Sequence, residues 1–329
     1  MRRIRLAPVV VLGLFAALAV EAQPAGKVYR VGIVWHGRQP SPSTLETFPF
    51  FNVLRQSFAD AGYVEGTNVS FVHKWSEGES DRLPSLAIEL SRLGVDVLIA
   101  NSTPAIRALA DATTTIPIVV ISVSDPVDAG LVESLARHSG NITGVSTRVT
   151  ELNQKLFELL KESTPNTSRV AVFGSPMAIG RGREEMEGAA RSLKVRLQFQ
   201  EVSSLKEIDA AFETATRVRA EGLVLLPAVV IALNVRRIAG IALKRRLPTI
   251  FWRSAFAEAG GFMAYGPDEL YLHRRAGALA ASILKGARPA DLPVEQADRF
   301  RLVINLKTAK ALGLTIPQTL LLRADQLIE

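Results

Sequence analysis

The sequence predicts an α/β protein of two doubly wound parallel-sheet lobes joined by a multi-strand hinge. Three observations predict it. Between Val28 and Ser146 short apolar strands alternate with amphipathic stretches of helical period, the pattern of a parallel sheet with helical crossovers. After Thr147 the alternation starts afresh, and 329 residues are long for one core but comfortable for two. Strand after strand also ends at proline: Thr103-Pro104, Asp125-Pro126, Ser175-Pro176 and Leu226-Pro227. A capping residue followed by proline opens a helix, because proline lacks the N–H that would have no partner there. In an open parallel sheet that edge is where ligands bind, and a helix N-terminus on it is a ready anion site.

Residues 1–22 stand apart from this pattern. Arg2, Arg3 and Arg5 form a basic start, Leu6–Val20 an apolar run, and Val20-Glu21-Ala22 a small-x-small cleavage site. About 15 apolar residues fall short of the roughly 20 that span a bilayer, so the segment reads as a secretory signal peptide cleaved near Ala22. The mature chain is expected in the periplasm.

From Val28 the chain predicts a strand ending at Trp35-His36-Gly37 and a Pro/Ser-rich loop to Glu46. A helix over Phe50–Ala61 follows, with apolar residues at Phe51, Leu54 and Phe58 and Gly62 as its stop. A strand over Val69–Lys74 precedes a helix opened at Ser80-Asp81-Arg82-Leu83-Pro84. Strands Val95–Ala100 and Ile118–Ser122 carry the two polar turns Asn101-Ser102-Thr103-Pro104 and Ser124-Asp125-Pro126. A short helix around Leu131–Arg137 and a strand over Ile142–Ser146 complete this half. The second half reads helix Glu151–Ser163, strand Arg169–Phe173, helix Gly182–Leu193, strand Val195–Val202 and helix Leu205–Ala220. Strand Gly222–Leu226, helix Ile231–Arg245 and strand Thr249–Trp252 continue it. The tail holds a strand over Phe262–Tyr265, a helix from Gly266-Pro267-Asp268 to Leu284, a connection over Gly286–Val294, a strand over Phe300–Asn305 and a helix over Thr308–Leu312. Chains that cross between lobes commonly finish with pieces donated to both. The first lobe is therefore expected to take residues 27–147 plus about 266–295, and the second 148–265 plus about 296–329.

Composition narrows the function. With no cysteine there are neither disulfides nor thiolate ligands, and His36, His73, His138 and His273 have no metal-ligand spacing, so no metal and no cofactor are expected. Loss of three arginines and one glutamate with the leader lowers the formal charge from +7 to +5. Basic pairs such as Arg236-Arg237 and Arg274-Arg275 lack interleaved aromatics, which argues against a nucleic-acid partner.

Several ordered motifs carry a family resemblance. They are Gly62-Tyr63-Val64-Glu65-Gly66-Thr67-Asn68, Asp81-Arg82-Leu83-Pro84, Ser102-Thr103-Pro104, Thr113-Thr114-Thr115-Ile116-Pro117-Ile118-Val119 and Ser124-Asp125-Pro126-Val127. Tyr265-Gly266-Pro267 and the run from Ile304 to Leu314 complete them. Across nearly all of the mature chain this resembles the ABC-transporter substrate-binding family that includes tryptophan-transporter-type periplasmic proteins. The resemblance implies a type 1 periplasmic-binding-protein fold, a monomer whose two lobes close on a small molecule and deliver it to an ABC permease in the inner membrane. It also implies that Ser102 and Thr103 meet a ligand carboxylate and that Asp125 faces its ammonium. The second lobe departs from the pattern. Where amino-acid-binding relatives often have an Asn- and Glu-containing turn after that lobe's first strand, this chain has Gly174-Ser175-Pro176-Met177, followed by Arg181 and Arg183.

The remaining candidates are strand-end residues. Trp35 and His36 would floor the cleft, Ser175 and Pro227 mark the second lobe's turns, and Arg253 would offer a cation unless Glu258 pairs it. Tyr265 is expected to brace the hinge, and Thr103 to cap the helix after its strand. Two rival readings remain: a sensory module that hands its ligand-bound form to a membrane receptor, and a hydrolase built on Ser102, His36 and Asp125 without a Gly-x-Ser-x-Gly elbow.

Overall fold

The computed structural model describes residues 27–123, 126–127, 130–135, 140–147 and 149–329. Residues 1–26, Asp125 and His138 lie outside them. The first half runs β1 (Tyr29–Trp35), α1 (Pro42–Leu45), α2 (Pro49–Asp60), β2 (Val69–Trp75), α3 (Leu83–Arg92), β3 (Val97–Ala100), α4 (Thr103–Ala112), β4 (Ile118–Val123) and β5 (Ile142–Ser146). The second runs α5 (Val149–Ser163), β6 (Arg169–Gly174), α6 (Pro176–Ser192), β7 (Arg196–Glu201), α7 (Leu205–Arg217), β8 (Gly222–Leu225), α8 (Val229–Leu233), α9 (Val235–Lys244), β9 (Thr249–Phe251), α10 (Ser254–Glu258) and β10 (Met263–Pro267). The tail adds α11 (Glu269–Leu284), β11 (Val294–Gln296), β12 (Phe300–Asn305), α12 (Leu306–Leu312), α13 (Gln318–Arg323) and β13 (Gln326–Ile328).

These strands form two sheets, ordered β11-β5-β4-β3-β1-β2 and β13-β12-β10-β9-β8-β6-β7. Every pairing is parallel except β10 with β12. The period of two along each strand sets the layers. Val31, Ile33, Val97, Ile99, Val119 and Ile121 face one core that α2 and α11 cover. Their neighbours Leu98, Ala100, Ile118 and Val120 face a second, with α3 and α4. The second sheet repeats this, with Val170, Val172 and Val224 on one face and Ala171, Phe173, Leu223 and Leu225 on the other.

The chain passes from one sheet to the other at three places: between β5 and α5, between β10 and α11, and between β11 and β12. Backbone bonds tie the crossings together, Ala297 N to Ser146 O at 2.8 Å and Asp268 N to Arg299 O at 2.9 Å. At the second crossing a Cβ on Gly266 would lie 1.7 Å from the Trp252 carbonyl oxygen, so only glycine lets β10 pass the end of β9. Tyr265 stacks on Phe300 there, ring centroids 5.8 Å apart, and braces the β10–β12 pair.

Some expectations differ from the structure. The loop to Glu46 contains α1. Residues 131–135 form bends instead of the start of a helix. Helix α6 begins at Pro176, directly after its strand, and carries Gly180 and Gly182 inside it. The stretch read as one helix from Ile231 is two, α8 and α9, divided at Asn234, whose Nδ2 donates to Val230 O at 2.7 Å. The connection over 286–294 ends in β11, a sixth strand of the first sheet.

Candidate ligand cavity between the sheets

Because the strands are parallel, their carboxyl ends gather on one edge of each sheet, and the two edges face a shared cavity of about 930 Å³. Trp35 and His36 reach it from the end of β1, Ser102 and Thr103 from β3, Ser175 from β6, Pro227 from β8, and Trp252 and Arg253 from β9. Asp125 lies outside the described residues; its neighbour Pro126 lines the cavity.

His36 organises the first-sheet side. Its Nδ1 is 3.2 Å from Ser102 Oγ and its Nε2 3.3 Å from Ser80 Oγ, while its backbone N–H donates to Asn101 Oδ1 at 3.2 Å. Burial lowers its pKa, so the ring is neutral at pH 7 and donates to one serine while accepting from the other. Ser102 Oγ also accepts from Ala105 N at 3.4 Å as the cap of α4. Thr103 is therefore the first helical residue and not the cap. A hydrolytic triad requires a carboxylate at the far imidazole nitrogen; here that nitrogen meets Ser80. Ser102→Ala should cost about 1 kcal/mol of stability through the lost cap, read by thermal melts. An unchanged melting temperature would show that the cap contributes nothing.

An aromatic wall rises beside this network. Trp35 stacks between Trp75, at 5.2 Å and 15°, and His273, at 6.1 Å and 11°, and His273 stacks on Phe50 at 4.6 Å. Phe48 sets its edge on Trp35, Trp75 and Phe50. Behind the wall Trp35 Nε1 donates to His73 Nδ1 at 3.0 Å, and burial pushes the His73 pKa down to about 4. Of these residues the sequence pointed only to Trp35. Trp75 carried the same signal, an aromatic at a strand's carboxyl end. Phe48, Phe50 and His273 arrive with α2 and α11, whose docking no local pattern reveals.

On the other side Ser175 Oγ caps α6, accepting from Ala178 N at 3.2 Å, and donates to Pro227 O at 2.9 Å, which joins two strand-end turns. Arg253 pairs with Glu269, not with the expected Glu258: Nε to Oε2 is 3.0 Å and Nη2 to Oε1 is 2.6 Å. Glu269 opens α11 just past the second crossing, so this pair bridges the hinge and neutralises the cation sought for a ligand. Arg183 turns away, stacking over Phe199 and pairing with Glu187. Four buried polar atoms of cavity-lining residues have no partner among the described residues: Trp75 Nε1, Trp252 Nε1, Asn153 Oδ1 and His273 Nε2. His273 Nδ1–H donates to Glu269 O at 2.6 Å, which leaves Nε2 an acceptor. Among the described residues no cluster of His, Cys, Asp and Glu has metal-binding geometry, and no helix is long and apolar enough to cross a membrane.

The family model described as ABC transporter substrate binding protein matches residues 50–328. The Tyrosine-binding protein of Clostridioides difficile (strain R20291) is 26% identical over 261 residues, 79% of this chain and 75% of that one. Among solved structures, the ABC domain in complex with L-Trp from Streptococcus pneumonia superposes with a TM-score of 0.83 at 27% identity, covering 92% of this chain and 100% of the other. A conserved domain protein of Vibrio cholerae O1 biovar eltor gives 0.80 at 27% identity, with the same coverage.

Proposed function

This chain belongs to the ABC transporter substrate binding protein family, and from that premise we propose that it captures an aromatic amino acid, or a closely related aromatic carboxylate, between its lobes for delivery to an ABC permease. The family is one of solute-binding proteins. The observation that carries the ligand class is the juxtaposition, in one cavity, of the stacked wall Trp75–Trp35–His273–Phe50 with the capped N-terminus of α4. A flat apolar body packs on such a wall, and a carboxylate is favoured at such a helix end. Ser102 and Thr103 hold the ligand's anionic end, and Asp125 its cationic end. The relatives named for tyrosine and solved with L-Trp support the same class.

In this reading residues 1–22 direct export, the mature monomer works in the periplasm, and the ligand leaves chemically unchanged. The lobes rotate about the three crossings, and ligand shifts that equilibrium only as far as it touches both. The test is mass spectrometry of copurifying small molecules, followed by thermal shift with tryptophan, tyrosine and phenylalanine. A ligand present at 100 times its dissociation constant should add about 2.7 kcal/mol of stability, and scattering should report a smaller radius of gyration. No shift with any of the three, and no aromatic copurifying compound, would overturn the ligand class.

A further inference from the structure

The turn after the second lobe's first strand, Gly174-Ser175-Pro176-Met177, offers a ligand's ammonium group no carboxylate or amide, and its one hydroxyl, Ser175 Oγ, is engaged with Ala178 N and Pro227 O. The available acceptors lie on the helices either side of it, α5 and α6. Two carboxylates line the cavity among the described residues, Glu269 and Glu185. Glu269 is occupied in both oxygens by Arg253. Glu185 is exposed and makes no ion pair or hydrogen bond among the described residues, although its neighbours Arg183 and Glu187 pair with each other. One turn earlier on α6 stands Gly182, also in the cavity lining. A Cβ there would lie 2.8 Å from Asn153 Nδ2, so the glycine is what lets the Asn153 amide sit against α6. Asn153 is 2% exposed, and its Oδ1 has no partner among the described residues. Residues three apart share a helix face, so Gly182, with Asn153 against it, and Glu185 stand side by side.

We propose that Glu185 and Asn153 form the second lobe's cation subsite, which receives the ammonium group of an amino-acid ligand whose carboxylate is held at the N-terminus of α4. This rests on the amino-acid reading above and deepens it. An ammonium has three N–H donors, and the Glu185 carboxylate and Asn153 Oδ1 offer acceptors for them. Burying Asn153 Oδ1 without a partner is costly, and a ligand donor removes that cost. The arrangement makes closure selective for zwitterions. An anion lacking the amine engages the first lobe but gains nothing from this subsite on the second.

The experiment is titration calorimetry of L-tryptophan and indole-3-propionate, which differ by the ammonium group, against the wild-type chain, Glu185→Gln and Asn153→Leu. Glu185 is exposed, so its variant keeps the fold; thermal melts check Asn153→Leu, and the result with Glu185→Gln stands without it. Wild type should prefer tryptophan, Glu185→Gln should lose roughly tenfold or more of tryptophan affinity, and indole-3-propionate should bind all folded forms alike. Tryptophan affinity unchanged in Glu185→Gln, or an equal loss for both compounds, overturns the subsite while leaving the aromatic reading intact. Failure of wild type to bind either compound, or tyrosine, overturns both together.

Discussion

Taking the protein from pH 7 to pH 4 should remove on the order of 3 kcal/mol of stability for the buried His273 and up to about that for the half-buried His73. His73 and His273 ordinarily titrate at 6.5, and burial pushes both down to about 4. Between those values the unfolded chain binds a proton that the folded chain refuses, so stability rises with pH across the window. It is fully present above pH 6.5, falls as pH drops towards 4, and levels below. Both rings already have fixed roles as neutral species: His73 Nδ1 accepts from Trp35, and His273 Nδ1–H donates to Glu269 O. Protonating His73 would place a proton against the Trp35 N–H. Urea melts at pH 7, 5.5 and 4.2 measure the slope, and carboxylates contribute to it in the lower part of the window. The His73→Gln, His273→Phe double variant removes the share of these two histidines, leaving that of His36, and should be distinctly flatter between pH 6.5 and 5. A double variant with the wild-type slope there would refute the assignment.

Trp35→Ala should cost roughly 3–5 kcal/mol, the range for deleting a large buried aromatic. Its ring is 1% exposed and fills the space between Trp75 and His273 with Phe48 on its edge. Truncation opens a void there and leaves His73 Nδ1 without its donor. The wall against which a ligand would pack then loses its centre, so affinity for tryptophan should fall with stability. Trp35→Phe separates the two contributions in part, since it keeps one aromatic ring while removing the N–H; about 1–3 kcal/mol is expected from the unpaired nitrogen, on top of a cavity cost smaller than that of alanine. Urea midpoints for both variants decide it. A Trp35→Ala midpoint within experimental error of wild type would mean that the stack carries no load.

What the sequence revealed and what it hid divide along physical lines. Helix α2 announces itself by Phe51, Leu54 and Phe58, and β3 and β4 by apolar runs of strand length, because each signal is complete within one segment. Strand β11 has three residues and becomes a strand only by pairing with β5, about 150 positions earlier. Such an element has no local signature. The break at Asn234 between α8 and α9 is equally silent, since the helical period continues across it. The cavity follows the same rule. Residues at strand ends were legible because a parallel sheet must bring those ends together. Asn153, Glu185, Glu269 and His273 sit on helices, and only the packing of α5, α6 and α11 turns them inward. Arg253 exchanged a partner five residues away for one sixteen away for this reason.

The three crossings also dictate an order of assembly. Helix α11 packs on α2 and on β3, β4 and β5, and β11 closes the edge of the first sheet, yet both come from residues 269–296. A chain emerging from its N-terminus has all of β1 to β5 in hand, with α2, long before the α11 part of the cover for Ile33, Ile99 and Ile121 exists. Until that late stretch arrives the first lobe stays an unfinished, apolar half-structure. Under the export proposed above, such postponed completion is an advantage: the first lobe stays open until the last part of the chain has been made.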